Sequence, residues 1–189
     1  MQAHEQHPGD AASQGCGLIP TITTERLILR ALSPDDLDAY TAINADPQMR
    51  TYTGDGRPPD RESTWRAMAL LLGHWHLRGY GMWAMVERAT GAFIGRAGLY
   101  NQEGWPGLEV AWTVARHRWS NGFATEAGQA ALDYAFQVVG AEHVISIIHP
   151  DNIASIRVAE KLGLEAKYST SHDGQPRTIY GITRSPRCT

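Results

Sequence analysis

Two short stretches hold the residue types whose spacing could do chemistry. The first is "HRWSNGFATEAGQAALDYAF", residues 117–136. Bulky and charged side chains narrow to Ser120, Asn121 and Gly122, and a helical pattern starts at once. The first turn of a helix leaves backbone N–H groups unpaired, and its dipole is positive there. A turn of small residues lets an anion reach those groups. Gly122 has no Cβ and tolerates unusual dihedrals, Ala124 stays small, and Ser120 and Thr125 add hydroxyls. This chemistry suits a pyrophosphate, although a plain strand-to-helix connection reads the same way on this segment alone. The Gly-Lys-Ser/Thr ending of a P-loop and the three-glycine spacing of a dinucleotide fingerprint are both missing.

The second stretch is "HPDNIASIRVAEKLGL", residues 149–164. It follows an apolar strand pattern, so its helix start should lie beside the first one, at the carboxyl ends of parallel strands where α/β sheets bind ligands. Asp151 or Asn152 fits a helix cap. Ser155 falls in the first helical turns, where serine adds little to helix stability; a solvent-facing serine and a ligand contact both fit there.

The elements that position these stretches can be read from pattern. "TERLILRAL" alternates as a half-buried or edge strand through Leu27 and Leu29. In "SPDDLDAYTAIN", Ser33 is the expected N-cap, Pro34 the first helical position, and Leu37, Tyr40 and Ile43 the apolar stripe. The segment 46–63 reads as a long loop. A second helix over 61–79 should bury Trp65, Met68, Leu71, Leu72 and Trp75. "GMWAMVER" and "AFIGRAGLY" form a hairpin turning at Thr90-Gly91, and "GLEVAWTVA" is the next strand. The long helix after Gly122 should face inward through Ala127, Ala130, Ala131, Tyr134, Ala135 and Val138 and stop at Gly140. "HVISIIH" reads as a buried strand, "DNIASIRVAEKLG" as a short helix, and a final hairpin turns at "HDGQ". Strand, helix, strand over 108–149 predicts a right-handed crossover with parallel strands. The fold class is α/β, a mixed sheet with helices on both faces.

Bulk properties bound the rest. The 189 residues suffice for one domain, expected over 21–184, with a disordered leader at 1–20 and a short tail at 185–189. The net charge of −3 points away from nucleic-acid and membrane-surface partners. No run spans a bilayer and the N-terminus lacks a signal-peptide pattern, so a cytoplasmic location is expected. Cys16 and Cys188, and His4 and His7, have no metal-site spacing; no metal is expected.

With both stretches in view, the chain resembles the GNAT superfamily of N-acetyltransferases, in its ribosomal-protein acetyltransferase (RimJ/RimL-like) branch. "TERLILRAL" looks like the branch's opening strand. "RWSNGFATEA" looks like its acetyl-CoA loop, with Trp119 in the first position of the Arg/Gln-x-x-Gly-x-Gly/Ala pattern. "HPDNIASIRVAEKLGL" looks like the second signature, Asn, then Ser three residues on, then Lys-Leu-Gly. The resemblance implies a GNAT fold and acetyl-CoA as donor. It sets the pyrophosphate on the backbone amides of Trp119, Ser120, Asn121, Gly122, Phe123, Ala124 and Thr125, and the pantetheine arm between "EVAWTVA" and "HVISIIH", which splay apart in that fold.

Acetyl transfer to an amine needs a neutral amine, a polarised thioester carbonyl and a proton for the departing thiolate. Holding both reactants together supplies much of the rate. A backbone N–H near Trp112, Thr113 and Val114 could hold the carbonyl oxygen. The resemblance makes Ser155 the donor to sulfur and Asn152 a pantetheine contact. Glu109 is the candidate base if Trp112 and Trp83 shield it; the alternative is a solvated strand residue, with an ordered water or His149 taking the proton. The acceptor is an amine, on a small molecule or a peptide N-terminus. Tyr52, Asp55, Arg57, Trp75, Trp83 and Tyr100 are candidate acceptor contacts. An acyl-CoA sensor or a protein-binding module on the same fold stays open, and an edge strand leaves room for a homodimer.

Overall fold

The computed structural model describes residues 19–52, 58–172 and 174–184. The expected tail, both cysteines, Asp55, Arg57 and nearly all of the expected leader lie outside that range.

Thirteen helices and strands follow one another among the described residues. They are β1 (Ile22–Thr23), β2 (Leu27–Arg30), α1 (Leu37–Ala45), α2 (Pro47–Arg50), α3 (Arg61–Arg78), β3 (Met82–Glu87), β4 (Phe93–Tyr100), β5 (Glu109–Val114), α4 (Phe123–Tyr134), β6 (His143–Ile148), α5 (Ile153–Lys161), β7 (Glu165–His172) and β8 (Gln175–Thr183). One sheet takes all eight strands in the order β1-β2-β3-β4-β5-β6-β8-β7. Only β5 and β6 run parallel, as the crossover through α4 requires; every other pair is antiparallel. This is the expected mixed α/β sheet. No helix of the described residues is long and apolar enough to cross a membrane.

Period-2 alternation gives the sheet two different faces. Leu27, Leu29, Ala97, Leu99, Val110 and Val114 point toward α4, where Phe123, Ala127, Ala131 and Leu132 close the main core. Met82 and Ala84 point toward α1 and α3, against Tyr40, Met68 and Leu71. Ser33 and Pro34 open a 3-10 turn, Pro34–Asp36, that feeds α1. Asp36 is buried there. Burial alone would raise its carboxyl, but both Arg30 Nη atoms at 2.7 Å and the Ser33 N–H at 2.8 Å hold it below the ordinary value.

Two helix faces differ from expectation. In α3 the buried stripe is Thr64, Met68, Leu71 and Trp75, with His74 beside it, while Trp65 and Leu72 face outward. Each lies one residue, about 100° of helix, past the stripe. After α4 the chain widens into a π-helical turn over Ala135–Val139, and Ala141 N–H closes it on Ala135 C=O at 2.9 Å. The extra residue in that turn swings Val138 to the surface. Gly140, at φ 76°, ends the turn where a stop was expected.

Candidate active site

The Ser120-Asn121-Gly122 turn leads into α4 with its backbone donors free. Ser120 has φ 61° and Gly122 φ 81°, so two of three residues take the left-handed region. Among the described residues, the N–H groups from Ser120 to Thr125 have no acceptor; the ladder resumes with Glu126 N–H on Gly122 C=O at 3.0 Å. The turn is rigidly braced. Asn121 Nδ2 donates to the carbonyls of Arg118 and Trp119, and the Trp119 indole donates to Val114 C=O at 2.7 Å. The surface formed is a row of donors at a helix start, chemistry that suits an anion.

The second feature is a fork between β5 and β6. Their register holds at one pair, Glu109↔Ile145, with Ile145 N–H on Leu108 C=O at 2.8 Å. The next donor of β6, Ile147 N–H, goes to the Glu109 side chain at 3.1 Å instead of to the β5 backbone. Beyond that point the strands part. Strand alternation turns the N–H and C=O of Val110, Trp112 and Val114 toward the gap and those of Ala111 and Thr113 toward β4. Leu108 bonding β6 and Ala115 N–H bonding Ile94 C=O fix this phase. Of the expected carbonyl-holding window, Trp112 and Val114 therefore present their N–H to the gap and Thr113 does not.

Glu109 sits at the apex of the fork. It is buried, not solvated, and Trp105 shields it rather than Trp112 or Trp83. The Trp105 indole donates to Oε2 at 2.8 Å. Burial pushes the carboxyl up to about 7 against the partial opposition of Ile147, Trp105 and Arg96. Trp105 packs edge-on to Tyr100 and to His172, and His74 stacks on Tyr100 at 5.1 Å. His74 Nε2 accepts from Asn101 N–H, which leaves its Nδ1–H to donate to Tyr80 C=O. Tyr100 thus lies beside Glu109, its direct cross-strand neighbour.

The other candidate acceptor contacts separate. Trp83 is fully buried, its indole donates to Pro20 C=O at 2.8 Å, and it packs on Trp75 and Tyr134; neither Trp83 nor Trp75 offers a wall to an acceptor. Tyr52 stands 5.1 Å from the ring of His149, at the carboxyl end of β6. His149 Nδ1 accepts from Asp151 N–H at 3.2 Å. Asn152 caps α5, its Oδ1 accepting from Ser155 N–H at 3.1 Å. The Ser155 hydroxyl, half-buried in the first turn of α5, has no hydrogen-bond partner among the described residues.

This combination of donor row, strand fork and second helix start can be set against known proteins. A family model described as "Acetyltransferase (GNAT) domain" matches residues 26–165. The chain belongs to the GNAT acetyltransferase family. It is similar to the protein YkkB of Bacillus subtilis, 30% identical over 167 residues, 84% of this chain and 93% of that one. A solved acetyltransferase of Agrobacterium tumefaciens is 31% identical with a TM-score of 0.79, covering 92% of this chain and 100% of that one. The FsC-acetyl coenzyme A-N(2)-transacetylase of Aspergillus fumigatus is 27% identical over 182 residues, 87% of this chain and 77% of that one.

Three residues of this GNAT domain's site escaped the sequence reading. Arg26, from the turn before β2, donates to Asn121 C=O at 2.8 Å, lies 4.7 Å over the Phe123 ring and pairs with Glu126 at 2.7 Å. Glu126 also accepts from Thr24 and from Arg26 N–H. Burial would raise its carboxyl, but these donors hold it below the ordinary value. Trp105 is the third. Each contact of Arg26 spans about a hundred residues, so no local pattern announces it.

Proposed function

We propose that this GNAT domain moves an acetyl group from acetyl-CoA directly to a primary amine, on a small molecule or a peptide N-terminus, in one ternary complex. The observation that carries the proposal is the run of six backbone donors, Ser120 to Thr125, left without acceptors beside a forked sheet. A pyrophosphate answers those donors, and an extended amide-bearing arm answers the open edge of β5. The Aspergillus relative, named for acetyl coenzyme A, supports the same donor.

Acetyl-CoA would supply a thioester-activated acetyl group. The remaining tasks fall to this chain. The turn before α4 holds the phosphates, and the N–H and C=O of Trp112 orient the arm, with the Val114 N–H left for the carbonyl oxygen, since Val114 C=O already accepts from the Trp119 indole. The Ser155 hydroxyl gives its proton to the departing sulfur. Glu109 takes the proton of the attacking amine; its two hydrogen bonds occupy half of its roughly four acceptor positions. The buried surroundings of Glu109 favour that role, because its pKa near 7 matches a base working near neutrality.

Acetyl-CoA-dependent thiol release is the test, run against pools of N-terminal peptides, amino acids and their conjugates, polyamines and amine antibiotics. Release above the hydrolysis blank in one pool supports transfer and names the acceptor class. Acetyl-CoA binding with no release in any pool favours an acyl-CoA sensor, and no binding at all favours a protein-interaction module.

A further inference from the structure

The face of the sheet turned toward α1 and α3 carries a cation that no side chain of the described residues hydrogen-bonds. Arg96, in the middle of β4, is half-buried, and its Nε is closed off from solvent. Among the described residues it makes no hydrogen bond and no ion pair. Arg118 also has an unbonded Nε, but its Nη2 pairs with Glu87 at 2.7 Å. A guanidinium drawn partly out of water without an acceptor is costly, and such groups are ordinarily matched by a carboxylate or phosphate.

Register shows what surrounds it. Three successive cross-strand rows share this face: Tyr100 with Glu109, Gly98 with Ala111, and Arg96 with Thr113. The middle row has no side chain larger than a methyl group. Gly98 must stay bare, because a Cβ there would meet Gly81 C=O at 2.4 Å. The floor between an acid and a base, whose rows stand about 14 Å apart along the strands, therefore carries no bulky side chain of β4 or β5. Arg96 is within electrostatic reach of Glu109 and Tyr100 across that interval. Ala111, at the floor, borders the fork on β5 where the acyl group would arrive.

We infer that the acceptor is an amine carrying its own carboxylate, of the amino-acid class, with the carboxylate on Arg96 and the amine turned toward Glu109. This rests on the acetyl-transfer reading for its amine half and on Arg96 for its acid half. A single planar guanidinium matches one carboxylate in a forked pair. Polyamines and aminoglycosides would bring more positive charge to an unneutralised arginine and are disfavoured.

The experiment sets a pool of the twenty amino acids against the pool of their amides and the pool of their decarboxylated amines. Thiol release is measured with the native protein, Arg96→Gln and Arg96→Lys. Calorimetry of the amino-acid pool on CoA-saturated protein runs in parallel. The native protein should prefer acids over amides by roughly tenfold or more in kcat/KM, the size expected of a charge-assisted pair. In Arg96→Gln that preference should collapse toward unity through KM, and Arg96→Lys should retain part of it, which separates a lost anion contact from a damaged fold. Equal use of acids and amides by the native protein, or an undiminished preference in Arg96→Gln, overturns the inference. Silence from all three pools sinks their transfer as acceptors. The anion site is then judged by calorimetry, where binding weakened by Arg96→Gln supports it and absent binding removes it.

Discussion

Glu109 holds its proton with a pKa near 7 because burial disfavours the charged carboxylate more than Trp105, Ile147 and Arg96 favour it. If it accepts the amine proton, kcat/KM should rise with pH up to about 7, and Glu109→Gln should flatten that limb; a limb that survives the substitution excludes Glu109 as the base. Ser155 makes a different prediction. Its hydroxyl has no hydrogen-bond partner among the described residues, so Ser155→Ala should leave the fold intact and lower kcat by roughly 10- to 100-fold with little change in acetyl-CoA affinity. Equal losses in turnover and affinity, read by stopped-flow and calorimetry, would reassign Ser155 to binding. The Asn152 cap on α5 was legible in the sequence as a polar residue just before a helical pattern. The shield on Glu109 was not, because Trp105 arrives from a loop with no strand or helix period.

Elements decide how firmly the donor row is held. The turn before α4 is pinned by Arg26, which reaches it from the start of β2. Arg26→Ala should weaken acetyl-CoA binding several-fold and lower the melting temperature, since it also strips Glu126 of its guanidinium partner. Gly122→Val forces a branched side chain into the left-handed region and sets its Cβ 3.3 Å from Arg26 Nη2. The backbone cost is about 1–2 kcal/mol, and acetyl-CoA affinity should fall at least tenfold; unchanged affinity would remove the phosphate cradle. Alternation and capping residues announced nearly every strand and helix, because those signals are local. Arg96 passed unremarked within "AFIGRAGLY", since a lone charge on a strand gains meaning only when its neighbours are known. The outward turns of Trp65 and Val138 share a cause. A helical period predicts a face, but the phase of that face is set by what packs against it and by one extra residue in a π turn.

At the scale of the whole molecule, the buried acids pull stability in opposite directions. Glu109 is raised from 4.5 to about 7, so between those values the folded protein keeps a proton that the unfolded chain has lost. Stability therefore falls as pH rises through that window, by about 3 kcal/mol in total, and is level above it. Asp36 and Glu126 are lowered, so their contribution is present above the ordinary carboxylate range and disappears as pH falls through their folded values. Urea midpoints should peak near about pH 5 and decline toward 7, and Glu109→Gln should abolish the decline. The sheet itself has a seam. β6 joins β5 at a single register pair but joins β8 along its whole length. On a ribosome, where strands emerge in chain order, β1 to β5 can assemble early, whereas β6 waits for β8, two strands later in the chain. The fork between β5 and β6 is thus framed on both sides only after residues 175–183 have cleared the exit tunnel, well after the turn before α4 has emerged.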